Sequence, residues 1–279
     1  MSQEKDNSVA DDTEDQLPQT ILPIDEHVEE VAENGRKVRR KGVYLLPNLF
    51  TTTALFCGFY AIVSSMNQMF EQAAIAIFVA MIFDGLDGRV ARMTNTQSAF
   101  GAEYDSLSDM VAFGAAPALV CFNWNLTSLG KVGWMVSFIY VACVALRLAR
   151  FNTQIETADK RYFTGLPCPS AAAVVAAMVW ALSLADLASN GLVTIFTAGV
   201  MALTGILMVS NVRYHSFKDL EFKGRVPFVA IIAIVLVFAV VFTNPPWVLM
   251  VVFLLYAASG PVLAVWRFKQ KRVAAAQGK

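Results

Sequence analysis

Histidine is almost absent from this 279-residue chain, and its two copies, His27 and His215, lie in a polar tail and a polar loop. A histidine-based metal site therefore has no support. The cysteines Cys57, Cys121, Cys143 and Cys168 show no CxxC spacing, and three of them fall in apolar runs, where the thiol reads as a small hydrophobe. This argues against a disulfide framework and a thiol nucleophile. The first forty residues contain no apolar core of a secretory signal peptide. Charge is scarce as well: 16% of residues are charged against 56% hydrophobic, with a mean hydropathy of +0.52. These values exclude an ordinary water-soluble domain. No nucleic-acid partner is expected.

What the chain has is long apolar runs. Eight of roughly bilayer-spanning length recur at Tyr44–Met66, Phe70–Arg92, Asp105–Asn125, Val132–Phe151, Gly165–Leu187, Leu192–Ser210, Val226–Thr243 and Pro246–Trp266. They are too long and too continuously apolar for barrel strands, which predicts an all-α polytopic bundle. Pro245-Pro246 marks a tight turn between the last two. Eleven of the 22 acidic residues precede Arg36, so residues 1–35 read as an acidic, disordered tail. Residues 36–43 form a basic juxtamembrane segment, either a plain topology signal or a short helix on the lipid surface. Residues 44–266 are the membrane domain and 267–279 a basic tail. With the N-terminus inside, Lys131 is the only basic residue in an outer loop, and all other Lys/Arg clusters fall on the cytoplasmic side. Both termini are therefore expected in the cytoplasm.

Four carboxylates break the apolar pattern. Asp84 and Asp87 close the second span at i, i+3, and Asp105 and Asp109 open the third at i, i+4. Each pair shares a helix face, and the short loop between the spans makes them antiparallel neighbours. A carboxylate at the centre of a lipid-facing helix costs about 2.5–3.5 kcal/mol, so four together need compensation. An all-oxygen set suits Mg²⁺, Mn²⁺ or Ca²⁺, and two ions about 3.5–4 Å apart would suit phosphoryl transfer. The alternative is an ion or proton pathway in a transporter. Gly85, Gly88 and Ala91 either admit a ligand or let helices pack closely.

The pattern Asp84, Asp87-Gly88, Ala91-Arg92, Gly101, Asp105, Asp109 resembles the signature of the CDP-alcohol phosphatidyltransferases, with every spacing intact. The resemblance implies a six-helix membrane core, here within about eight helices, and a homodimer. It implies that an alcohol attacks the β-phosphorus of a CDP-linked lipid and expels CMP. The first three aspartates would hold metal, two ions of Mn²⁺ or Mg²⁺. Asp109 would touch metal and act as general base. Nucleotide or donor binding would fall to Asn48, Thr51, Gly88, Ala91, Arg92 and Gly101.

Three further segments are similar to the phosphatidylserine synthase branch of that family, its proteobacterial members above all: Leu46-Pro47-Asn48 with Thr51, Arg147-Leu148-Ala149-Arg150-Phe151-Asn152, and Phe163-Thr164-Gly165-Leu166-Pro167-Cys168-Pro169. This implies CDP-diacylglycerol and L-serine as substrates, membrane lipids as partners and a bacterial inner membrane as the location. Arg147 and Arg150 would bind the donor phosphates or a carboxylate, or else anchor a helix end. Asn48 and Thr51 contact the donor or cap a helix. Arg213 and Lys218, in the polar stretch Ser210–Lys218, are further acceptor candidates, unless that stretch is a simple connector. A sister activity on glycerol 3-phosphate or an inositol phosphate remains open.

Overall fold

A computed structural model describes residues 29–33, 36–40, 45–94, 99–154, 162–215 and 228–277. The chain divides into two units, Met1–Gly42 and Val43–Lys279. In the first unit, strands β1 (Glu29–Glu33) and β2 (Arg36–Arg40) pair antiparallel, with Glu29 opposite Arg40, Glu30 opposite Arg39 and Glu33 opposite Arg36. The boundary expected at 35/36 falls between these two strands.

The second unit is a helical bundle that follows the expected spans one for one: α1 (Leu45–Met66), α2 (Phe70–Met93), α3 (Ala99–Asp109) continued by a π-helical turn (Met110–Ala115) into α4 (Ala116–Trp124), α5 (Lys131–Gln154), α6 (Cys168–Leu184), α7 (Gly191–Val209), α8 (Phe228–Thr243) and α9 (Pro245–Gln277). Among the described residues, five helical stretches are long and apolar enough to cross a membrane: Pro47–Met66, Phe100–Trp124, Lys131–Thr153, Gly191–Val209 and Pro245–Ala264. Phe56, Phe59, Trp134, Phe138, Leu192 and Ile195 are each more than half exposed on the outside of the bundle. Such a surface suits lipid and not water, and the chain is an all-α integral membrane protein.

Several boundaries differ from expectation. α3 begins six residues before Asp105, since nothing between Ala99 and Tyr104 breaks a helix, so Asp105 and Asp109 sit in its second and third turns. α9 starts at Pro245, a favoured first helical position, and runs on through the expected basic tail to Gln277. A short ladder, absent from the sequence reading, pairs β3 (Tyr162–Thr164) with β4 (Arg213–His215).

α6 is the centre of the unit. It packs on α2, α4, α7 and α9, and Ala171, Ala172, Ala173, Ala176, Ala177 and Ala181 are all buried. Small side chains let neighbouring backbones approach where no hydrophobic effect drives helix association. α1 packs along α2, and near one end Phe50 stacks on Phe83 with ring centroids 6.1 Å apart.

Pro261 lies inside α9 and cannot donate to the Ala257 carbonyl. The Tyr214 hydroxyl of β4 donates to that carbonyl instead, at 2.9 Å. Gly260 makes room for the ring, since a Cβ there would overlap Tyr214. Tyr214 is only 1% exposed and cannot swing away. Gly260→Ala should therefore destabilise the fold by about 1–3 kcal/mol, read as a lowered thermal midpoint in detergent. Gly199→Ala, where an added Cβ meets nothing within 4 Å, should leave the midpoint unchanged.

Candidate active site

α2 and α3 both pack on α1, and this brings the aspartates together at one end of the bundle. One carboxylate oxygen from each of Asp84, Asp105 and Asp109 lies within 4.8 Å of the other two. Asp87 is buried, 5% exposed, beside Asp105. Among the described residues no Lys or Arg forms an ion pair with any of the four. Hydroxyl groups hold the frame instead. Thr51 Oγ1 donates to Asp87 Oδ2 at 2.7 Å, and Ser108 Oγ donates to the Thr51 carbonyl at 3.0 Å. The Tyr104 and Thr52 hydroxyls meet at 2.9 Å.

These contacts fix α3 against α1 at two successive turns, and the pattern has a simple source. Tyr104 and Ser108 precede Asp105 and Asp109 by one residue, so a hydroxyl stripe facing α1 runs beside the carboxylate stripe. On the other flank, Asn152 of α5 donates to Ser106 Oγ at 3.1 Å and to Glu103 Oε2 at 3.5 Å. Neither Ser108 nor Ser106 was expected in the site. Asn152 stood only in a motif without a role. The i, i+4 hydroxyl spacing beside the acids was the available signal.

Thr51 was expected to bind donor; in the structure its hydroxyl is committed to Asp87 and to the Pro47 carbonyl at 3.2 Å. Asn48 is half-buried one turn earlier on α1. Gly85 and Gly88 are exposed, and a Cβ at either would meet nothing within 4 Å. Close packing within the chain therefore does not explain these glycines. They leave open space beside the carboxylates. Ala91 is half-buried, Arg92 exposed and Gly101 half-buried on the facing helix.

The two arginines of α5 have backbone partners. Arg150 donates to the Val209 carbonyl at 3.3 Å and to Asn211 Oδ1 at 2.7 Å, which caps the end of α7. These contacts tie the end of α5 to the end of α7, where the helix dipole favours a cation. Arg147 reaches the Thr164 carbonyl at 3.4 Å and neighbours Cys168 and Tyr256. Cys168, buried at the start of α6, lies near Arg147 and feels the charges of Asp109 and Asp84.

The polar stretch after α7 is more than a connector. In the β3–β4 ladder Thr164 pairs with Arg213 and Phe163 with Tyr214. The Gly165 amide donates to the Val212 carbonyl at 2.7 Å. Gly165 has φ +80 and faces the Met208 carbonyl so closely that a Cβ would overlap it, so glycine is required at this turn. Lys218 lies outside the described residues.

An all-oxygen carboxylate set with no counter-cation among the described residues, and with open space over two glycines of the same helix, fits a hard divalent cation with a phosphorylated ligand. Comparison with known proteins agrees with this chemistry. The profile of the CDP-alcohol phosphatidyltransferases matches residues 44–215. A CDP-diacylglycerol–serine O-phosphatidyltransferase of Helicobacter pylori (strain J99) is 40% identical over 196 residues, 70% of this chain and 82% of the relative. The Mycobacterium leprae protein of the same name is 33% identical over 228 residues, 79% of this chain and 74% of the relative. That of Saccharomyces cerevisiae is 39% identical over 139 residues, 45% of this chain and 50% of the relative. On the extent of the profile match and the coverage of its relatives, this chain belongs to the CDP-alcohol phosphatidyltransferase family.

Proposed function

We propose that the protein transfers the phosphatidyl group of CDP-diacylglycerol to L-serine, giving phosphatidylserine and CMP. The observation that carries the reaction is the convergence of Asp84, Asp105 and Asp109 within 4.8 Å beside the open surface of Gly85 and Gly88. Serine as acceptor rests on the activity for which the three relatives are named. All eight long helices cross a bacterial inner membrane, with both termini and the aspartates on the cytoplasmic side, as the Lys/Arg distribution supports. The functional unit is a homodimer.

Asp84, Asp105 and Asp109 would hold Mn²⁺ or Mg²⁺, with Asp87 completing a set able to hold two ions. When bound, the metal neutralises charge on the departing CMP and polarises the β-phosphorus. Asp109 accepts the proton of the serine hydroxyl as that oxygen bonds to the β-phosphorus. The bond from phosphorus to the bridging oxygen breaks, and its electron pair leaves with CMP. Gly88 and Ala91 keep side-chain bulk away from the nucleotide, while Asn48, Arg92 and Gly101 border it. Arg147, with Arg213 and Lys218 on the neighbouring stretch, supplies positive charge for the serine carboxylate. At this depth the lipid donor stays in the bilayer, and serine and CMP exchange with the cytosol.

CMP release by purified protein with CDP-diacylglycerol and Mn²⁺ tests the reaction. Serine alone should support release; release with glycerol 3-phosphate or inositol phosphate instead would overturn the acceptor assignment. Asp109→Asn should lower turnover by at least about 100-fold while CDP-diacylglycerol still binds. Turnover at the wild-type rate would remove Asp109 as the base. Thr51→Val, which removes the hydroxyl that donates to Asp87, should weaken Mn²⁺ affinity or activity by about 10–100-fold. Thr51→Ser keeps the hydroxyl and should restore most of both.

A further inference from the structure

Asp109 is the last residue of α3 before the chain changes pitch. From Met110 to Ala115 the helix is of π form, and the Ala116 amide bonds to the Val111 carbonyl five residues back. A π turn carries one residue more than an α turn. Side chains before it are therefore rotated by about 100° relative to an uninterrupted α-helix. The direction in which Asp105 and Asp109 point, relative to the packed face of α4, depends on this turn.

The turn is held from three sides. Pro117 has no N–H for the Phe113 carbonyl four residues earlier. The Tyr140 hydroxyl of α5 donates to that carbonyl at 3.1 Å. Tyr140, Ala112 and Phe113 are all 0% exposed. One turn along α5, Val144 Cγ1 would stand 3.2 Å from a Cβ at Gly114, and on α1 a Cβ at Gly58 would stand 2.7 Å from Ala112 Cα. The segment is thus clamped between α1 and α5, with its one prolyl-deprived carbonyl satisfied by a side chain.

We propose that Tyr140, acting with Pro117 on the Phe113 carbonyl, is a positioning residue that holds the π turn and so aims Asp105 and Asp109 at Asp84. The proposal rests on the metal reading above. Pro117→Ala restores an amide to the Phe113 carbonyl and lets the turn relax towards α pitch. Tyr140→Phe removes only the hydroxyl.

The test is Mn²⁺ titration of the purified, substrate-free full chain, followed by the electron paramagnetic resonance of free Mn²⁺, beside the thermal midpoint in detergent. Both variants should bind Mn²⁺ at least 10-fold more weakly. Pro117→Ala should do so with its thermal midpoint unchanged or raised, a combination that a purely structural role for this contact does not produce. It also decides the matter if Tyr140→Phe fails to fold. Wild-type Mn²⁺ affinity in Pro117→Ala, or in folded Tyr140→Phe, overturns the proposal alone. Absence of saturable Mn²⁺ binding in the wild type overturns the metal reading and this proposal with it.

Discussion

Four carboxylates packed at one end of an apolar bundle repel one another in a medium that screens poorly, and the rest of the site is arranged around that repulsion. Among the described residues it is answered with hydroxyl tethers and not with arginine. Thr51 fixes Asp87, Ser108 fixes α3 to the Thr51 carbonyl, and Tyr104 meets Thr52. Neutral donors hold a carboxylate in place without neutralising it. The negative charge therefore remains available to a divalent cation, whereas a built-in guanidinium would compete for the same oxygens.

A second constraint comes from the backbone. In lipid every carbonyl must find a donor within the protein, yet two prolines lie inside the long helical stretches where they remove one. At Pro117 and at Pro261 the solution is the same: a buried tyrosine from another element, Tyr140 or Tyr214, donates its hydroxyl to the carbonyl four residues before the proline. Each such pairing ties a local break in one helix to a distant part of the chain. The breaks become fixed joints. One adjoins Asp109, and the other docks α9 on the β3–β4 ladder beside Thr164.

The sequence made the helices legible because apolar length is a strong signal in a membrane protein, and all eight expected spans have a helix at their place. The aspartates were legible for the same reason: acids are conspicuous in apolar surroundings. What stayed hidden was relational. Thr51 reads as a donor contact or a helix cap, and nothing in the sequence names Asp87 as its partner. Arg150 reads as a ligand ahead of an anchor, and its bonds to the Val209 carbonyl and Asn211 are likewise invisible in the sequence. The π turn has no periodicity signature in six residues. The three-residue strands β3 and β4 owe their pairing to chain segments almost fifty residues apart, a distance at which local patterns say nothing.

These relations divide the site into two halves with different supports. The aspartate half comes from α2 and α3, both packed on α1. The half proposed for the acceptor is a composite: Arg147 comes from α5, the Thr164 carbonyl that it reaches from β3, and the ladder itself is pinned to α9 through Tyr214. Asn152 of α5 bridges the halves at Ser106 of α3. Carboxylates able to hold a metal, fixed on two helices that share α1, would constrain the chemistry common to the family, since in the proposed reaction the bond broken is the same for every acceptor. An assembly of several chain ends can vary without disturbing those two helices. The division gives a physical reason why one carboxylate signature can serve different alcohols: the element that defines the reaction and the elements that border the alcohol are separately anchored.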